Sequence, residues 1–210
     1  MSPTRAVFIA AKNWEYGAMA LKPRTLTRGA LAAGIAAVAA ACALPTTYKW
    51  NWEQWSPAKL GYAAGEGALL TEIRGNPFEA PKTEVDAVIT DTMYAAHFGP
   101  KVPFVTQAPQ DYKSPYRVVI LFDPEETLNA AKLCKESPQP GPADPSRIRV
   151  AAAFCAQDIH ETSVWGSVGR TGDPNDPSFK ALIRIMTTQL FPNQDPNERD
   201  NDREWISELP

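Results

Sequence analysis

The two histidines of this 210-residue chain limit where acid–base chemistry can be placed. One of them falls in Asp158-Ile159-His160-Glu161, where three groups able to move a proton or ligate a metal stand close together. In a hairpin turn Asp158 and His160 would share one side, which would suit a hydrolase using His160 with Asp158 or Glu161. A hairpin turn needs polar residues in any case, and no second ligand cluster accompanies these, so no metal site is expected. Ser163 and Ser167 follow closely, yet Gly166-Ser167-Val168-Gly169 is not the G-x-S-x-G elbow of a nucleophilic serine. Asp173, Asn175 and Asp176 hint at a calcium loop but lack its bidentate glutamate. Gly61-Tyr62-Ala63-Ala64-Gly65-Glu66-Gly67 has neither the spacing nor the lysine of a phosphate loop and reads as a hinge. Cys134 and Cys155 do not form C-x-x-C. No residue is therefore assigned a catalytic role and no cofactor is expected. The main expectation is a non-catalytic protein, with the hydrolase as the alternative.

The N-terminal part reads as an address. Ala30 to Ala41 is an unbroken apolar run, ALAAGIAAVAAA, preceded by Lys22, Arg24 and Arg28. It is too short to span a bilayer and has the length of a signal-peptide hydrophobic segment. Trp14 and Glu15 fit this plan poorly, so translation is expected to start at Met19. The stretch Val38-Ala39-Ala40-Ala41-Cys42 resembles a bacterial lipobox, a resemblance confined to residues 19–42. It implies a signal peptide ending at residue 41 and a lipidated Cys42 at the new N-terminus. Small residues here also satisfy an ordinary signal peptidase cleaving after Ala41 or Ala43. In lipoproteins of Gram-negative bacteria an aspartate after the cysteine tends to retain the protein at the inner membrane. With Ala43 in that place, the resemblance implies the periplasmic face of the outer membrane.

Removing residues 1–41 takes away five of the 21 basic residues and one of the 24 acidic ones, so the formal charge moves from −3 to −7. An acidic chain is disfavoured against nucleic acid and anionic lipid alike. Membrane attachment would have to come from acyl chains on Cys42, and the other partner would be an unidentified envelope protein or cell-wall component. With Cys42 as lipid carrier, Cys134 and Cys155 remain. In an oxidising compartment an even number favours a bridge, which would close a loop worth about 3 kcal/mol.

Residues 42–67 are expected to form a lipid-anchored tether. Its Trp50, Trp52 and Trp55 either contact a glycan or partner, or pack onto the domain. A single α+β domain is expected over 68–192, followed by a mobile acidic tail over 193–210. Ala68 to Ile73 reads as a strand, and Pro81 opens a helix with Thr83 and Asp86 as a capping pair. Residues 100–115 read as a loop, and Arg117 to Phe122 as a central strand. Asp123-Pro124-Glu125-Glu126 reads as the start of a short helix reaching about Lys135. Ile148 to Cys155 and Thr162 to Val168 form a hairpin with its turn over 157–161. Asp176-Pro177 opens the clearest helix, with Phe179, Leu182, Ile183, Met186 and Leu190 on one stripe. The expected fold is one mixed sheet of about four strands with two or three helices packed on it.

Overall fold

A computed structural model describes residues 44–52 and 55–193. The expected export segment, Cys42 and the tail from residue 194 lie outside them, as do the side chains of Trp50 and Trp52.

The fold is mixed α+β. Among the described residues six strands form one sheet: β1 (Thr46–Trp52), β2 (Leu69–Arg74), β3 (Phe104–Val105), β4 (Tyr116–Phe122), β5 (Arg147–Ala156) and β6 (Ile159–Gly169). Their order is β1-β6-β5-β4-β2-β3. β3, β2 and β4 run parallel, and β4, β5, β6 and β1 alternate antiparallel. Among the described residues four helices accompany them: α1 (Pro57–Ala64), α2 (Lys82–Ala96), α3 (Ala130–Lys135) and α4 (Pro177–Leu190). β4 occupies the middle because Val118 to Phe122 are apolar on both faces, and all five are buried.

The sheet is larger than expected for two reasons. Residues 46–52, read as part of a tether, pair along β6 as edge strand β1. The proline-rich stretch 100–115 contributes the two-residue strand β3 beside β2. Residues 57–64, overlapping the expected hinge, form α1. Its Leu60 and Ala63 are buried in the main core, so tertiary burial overrides the flexibility that Gly61 suggests.

The two faces of the sheet are covered unequally. On one, α2 and α4 pack over Val118, Ile120, Ile148, Val150, Ala152, Phe154, Val164 and Val168. The stripe read from the sequence of α4 is buried as expected: Phe179, Leu182, Ile183, Met186 and Leu190. Gly166 lets α4 approach closely, since a Cβ there would lie 2.7 Å from Leu182 Cδ1 and 3.1 Å from the Thr46 carbonyl oxygen. On the other face, α3 is the one helix among the described residues that covers a small cluster around Val119, Leu121, Ala151, Ala153 and Trp165. There Cys134 of α3 and Cys155 of β5 form a disulfide with Cα atoms 5.6 Å apart. The Arg117 guanidinium donates to the Cys134 carbonyl and that of Arg74 to the Glu136 carbonyl, so two cations hold the end of α3 where its dipole is negative.

Two helix starts differ from expectation. Asp86 does not join Thr83 in capping α2. Its carboxylate binds Lys82 one turn earlier, at 2.7 and 2.8 Å. α3 begins at Ala130 rather than at Asp123-Pro124, and its cap is Asn129, whose Oδ1 accepts the Ala131 amide at 2.9 Å.

Candidate functional site

Residues 158–161 come apart in the fold. The β5–β6 turn consists of Gln157 and Asp158 alone, with Gln157 at φ +52° and Asp158 exposed. His160 and Glu161 already belong to β6 and are buried. The pairing steps from Cys155–His160 to Phe154–Thr162 and so passes over Glu161, a bulge in β6. The bulge turns the Glu161 carboxylate to Lys59 of α1, with which it forms an ion pair. Ser167 Oγ lies 3.3 Å from Thr46 Oγ1 on the neighbouring strand. Ser163 is buried opposite Asn51 of β1. The structure thus joins Glu161 to a lysine that the sequence did not single out, and leaves Asp158 in solvent.

Trp55 is not available to a glycan or partner. It is 3% exposed, its rings lie about 6 Å from those of Phe154 and Phe191, and its indole N–H donates to the Pro192 carbonyl at 3.1 Å. Polar neighbours in sequence disguised a core residue whose hydrogen-bond partner is 137 positions away.

A second constellation, unmarked in the sequence, sits where β2 and β4 end. The chain leaves β4 at Asp123 with φ +45°, a conformation that asparagine and aspartate tolerate better than most residues. The Asp123 amide donates to the Arg149 carbonyl, and its own carbonyl accepts the Gly141 amide, both at 2.8 Å. These bonds turn the carboxyl inward, so that Asp123 is only 6% exposed. Arg170, just past β6, approaches it to 3.7 Å between Nη2 and Oδ2. The same guanidinium donates to three backbone carbonyls, those of Asp144 (2.7 Å), Pro77 (3.0 Å) and Arg147 (3.2 Å). Asp144 is fixed for this by its own carboxylate, which accepts from the amide and hydroxyl of Ser146 at 2.8 and 2.7 Å. Those bonds hold the Asp144 carboxyl below its ordinary value.

Burial pushes the Asp123 carboxyl above its ordinary value. The Arg170 and Arg149 charges and the amides of Arg149 and Asp144 oppose that shift without cancelling it. Around the pair lies a cleft of about 490 Å³ whose walls include Asn76, Phe78, Glu79, Ala143 and Thr171. The 75–80 loop is shaped by Gly75 at φ +84° and by Asn76, which accepts the Phe78 amide and donates to the Ala80 carbonyl. The arrangement is a buried acid beside an anchored cation at the mouth of a solvent-filled recess. A strong local signal hid it, because Asp-Pro-Glu-Glu reads as a helix cap.

No protein-family model and no curated protein matches the chain. Among solved structures it is similar to the PelC dodecamer from Paraburkholderia phytofirmans, with 13% identity and a TM-score of 0.40 over 72% of this chain and 100% of that one. A single-substitution variant of the same PelC dodecamer gives 12% and 0.39 over the same shares. Likeness at this level carries no argument about function.

Proposed function

We propose that the chain is the precursor of a lipid-anchored envelope protein, acylated at Cys42 and held at the periplasmic face of the outer membrane of a Gram-negative bacterium. It is non-catalytic and acts through contact with another envelope component. The observation that carries this reading is the Cys134–Cys155 bridge. Structural disulfides belong to oxidising compartments, in keeping with export. The bridge uses two of the three cysteines and leaves Cys42, the residue after the small-residue run, for a different chemistry. Among the described residues no helix is long and apolar enough to cross a membrane, so acyl chains would supply the attachment.

Mass spectrometry of the protein recovered from membranes of its host tests the reading. The expected species begins at Cys42 and carries acyl chains, and the Cys42→Ser variant yields no such lipid-bearing species. An N-terminus at residue 42 or 44 without lipid, in the soluble fraction, would replace the anchored reading by a soluble periplasmic one. An unprocessed chain from the cytosol would end both.

A further inference from the structure

The connection from α3 to β5 carries a proline at every second position, Ser137-Pro138-Gln139-Pro140-Gly141-Pro142, with a further one at Pro145. Residues 137–144 form neither helix nor strand. Proline holds its own φ at about −65° and drives the residue before it into the extended region. Alternating prolines therefore favour one regular conformation, the left-handed polyproline helix with three residues per turn. Burial follows that period: Pro138, Gly141 and Asp144 are half-buried, and the two residues after each of them are exposed. One ridge in three thus lies on the domain. Gly141 fits there because a Cβ would come within 3.2 Å of the Asp123 carbonyl oxygen and 3.3 Å of Glu125 Cγ.

The segment is tied down along its length. The Gly141 amide donates to the Asp123 carbonyl at 2.8 Å, Arg149 Nη2 to the Pro142 carbonyl at 3.0 Å and Arg170 Nε to the Asp144 carbonyl at 2.7 Å. The Asp144 carboxylate ends the run by accepting the Ser146 and Arg147 amides at 2.8 and 3.2 Å. The two outward ridges are Gln139, Pro142 and Pro145, and Pro140, Ala143 and Ser146. Neither carries a charge, although the chain as a whole is acidic.

We propose that this segment is a docking ridge for a protein partner whose groove is lined by aromatic side chains. Proline rings three positions apart, as at Pro142 and Pro145, seat between flat aromatic faces in that mode of recognition. The anchors already order the ridge, so docking costs little backbone entropy. An uncharged strip of prolines and small side chains gives a strongly charged partner nothing to pair with. The inference rests on the proposed role as a contact protein, for which it names the surface and the kind of partner. It does not depend on acylation of Cys42.

The test is photo-cross-linking in permeabilised host cells, with the full chain carrying p-benzoylphenylalanine at Gln139 or Ala143 on the ridge, or at Tyr62 or Asp158, which are exposed elsewhere. A discrete protein adduct is expected from the ridge positions. A decaproline peptide should prevent it, and a glycine–serine peptide of the same length should not. Pro142→Ala together with Pro145→Ala should lower the adduct yield about tenfold, as expected for loss of two anchoring side chains, while the melting temperature stays near that of the wild type. Decaproline competition on the unaltered ridge decides the matter even if the double variant folds poorly. A ridge adduct that survives decaproline would overturn the proposal. Adducts from Tyr62 or Asp158 with a silent ridge would overturn it and leave the contact role standing. Silence at all four positions would remove the contact role as well.

Discussion

The two faces of the sheet solve the same problem by different means. The face under α2 and α4 is filled by long apolar and aromatic side chains, with Phe122, Phe154, Phe179 and Phe191 all essentially inaccessible to solvent. Ring pairs such as Phe78–Phe179 and Phe154–Phe191, with centroids 4.9 and 5.2 Å apart, lock it further. The face under α3 has a six-residue helix and a lining rich in alanine, including Ala130, Ala151 and Ala153. So little apolar area cannot hold a helix of that length by burial alone. A covalent bond from α3 to β5 and arginine contacts to the helix end take the place of bulk. Packing stabilises one side, and restraint of the unfolded chain stabilises the other.

That contrast can be broken most directly on the packed face. Phe179→Ala or Leu182→Ala should lower unfolding free energy by about 3–5 kcal/mol in denaturant titrations, because each leaves a cavity between α4 and the sheet. A loss below about 1 kcal/mol would mean that the face is looser than its burial implies. Replacing Cys134 and Cys155 together by serine should cost about 3 kcal/mol, with faster amide exchange confined to α3 and its flanking loops. If Leu133→Ala alone costs as much, the small face relies on packing after all. Gly166→Ala should cost about 2 kcal/mol by pushing α4 off the sheet against the Thr46 carbonyl. Asn129→Ala and Asp176→Ala, one cap on each face, should each cost about 1 kcal/mol. The smallest effect concerns pH. Burial beside Phe104 lowers the pKa of His97, with Lys101 acting in the same direction and the Phe98 carbonyl opposing. The unfolded chain therefore binds this proton more readily than the folded one. The His97 contribution is complete above the ordinary value of 6.5 and is lost as pH falls from there toward the lowered value. Melting temperatures of the wild type and His97→Gln should converge on acidification through that window.

Much of this architecture is legible in the sequence, and one pair of similar signals shows why the rest is not. Asp176-Pro177 and Asp123-Pro124 have the same local form. At Asp176 the carboxylate accepts the Ser178 amide and α4 follows. At Asp123 the carboxyl is drawn inside toward an arginine 47 positions later, and the helix waits for Asn129. Local chemistry allows both outcomes, and tertiary contacts choose between them. The candidate cleft escapes a sequence reading for a related cause. Arg170 is positioned by the carbonyls of Pro77, Asp144 and Arg147, groups that every residue carries and that no motif records. That residues 46–52 form a strand rather than part of a tether escapes a sequence reading for the same reason, because the strand they pair with, β6, is more than a hundred residues downstream. By contrast, the cysteine count was enough to pair Cys134 with Cys155, and the stripe of α4 was enough to aim it at the sheet.

The position of β1 sets a length. Pairing with β6 begins at Thr46, which leaves Ala43, Leu44 and Pro45 between the strand and Cys42. Even fully extended, a leash that short reaches roughly 10–14 Å. Acyl groups on Cys42 would therefore hold the outer strand against the lipid headgroups, where the domain could tilt but not roam, and any partner would have to be met close to the bilayer surface.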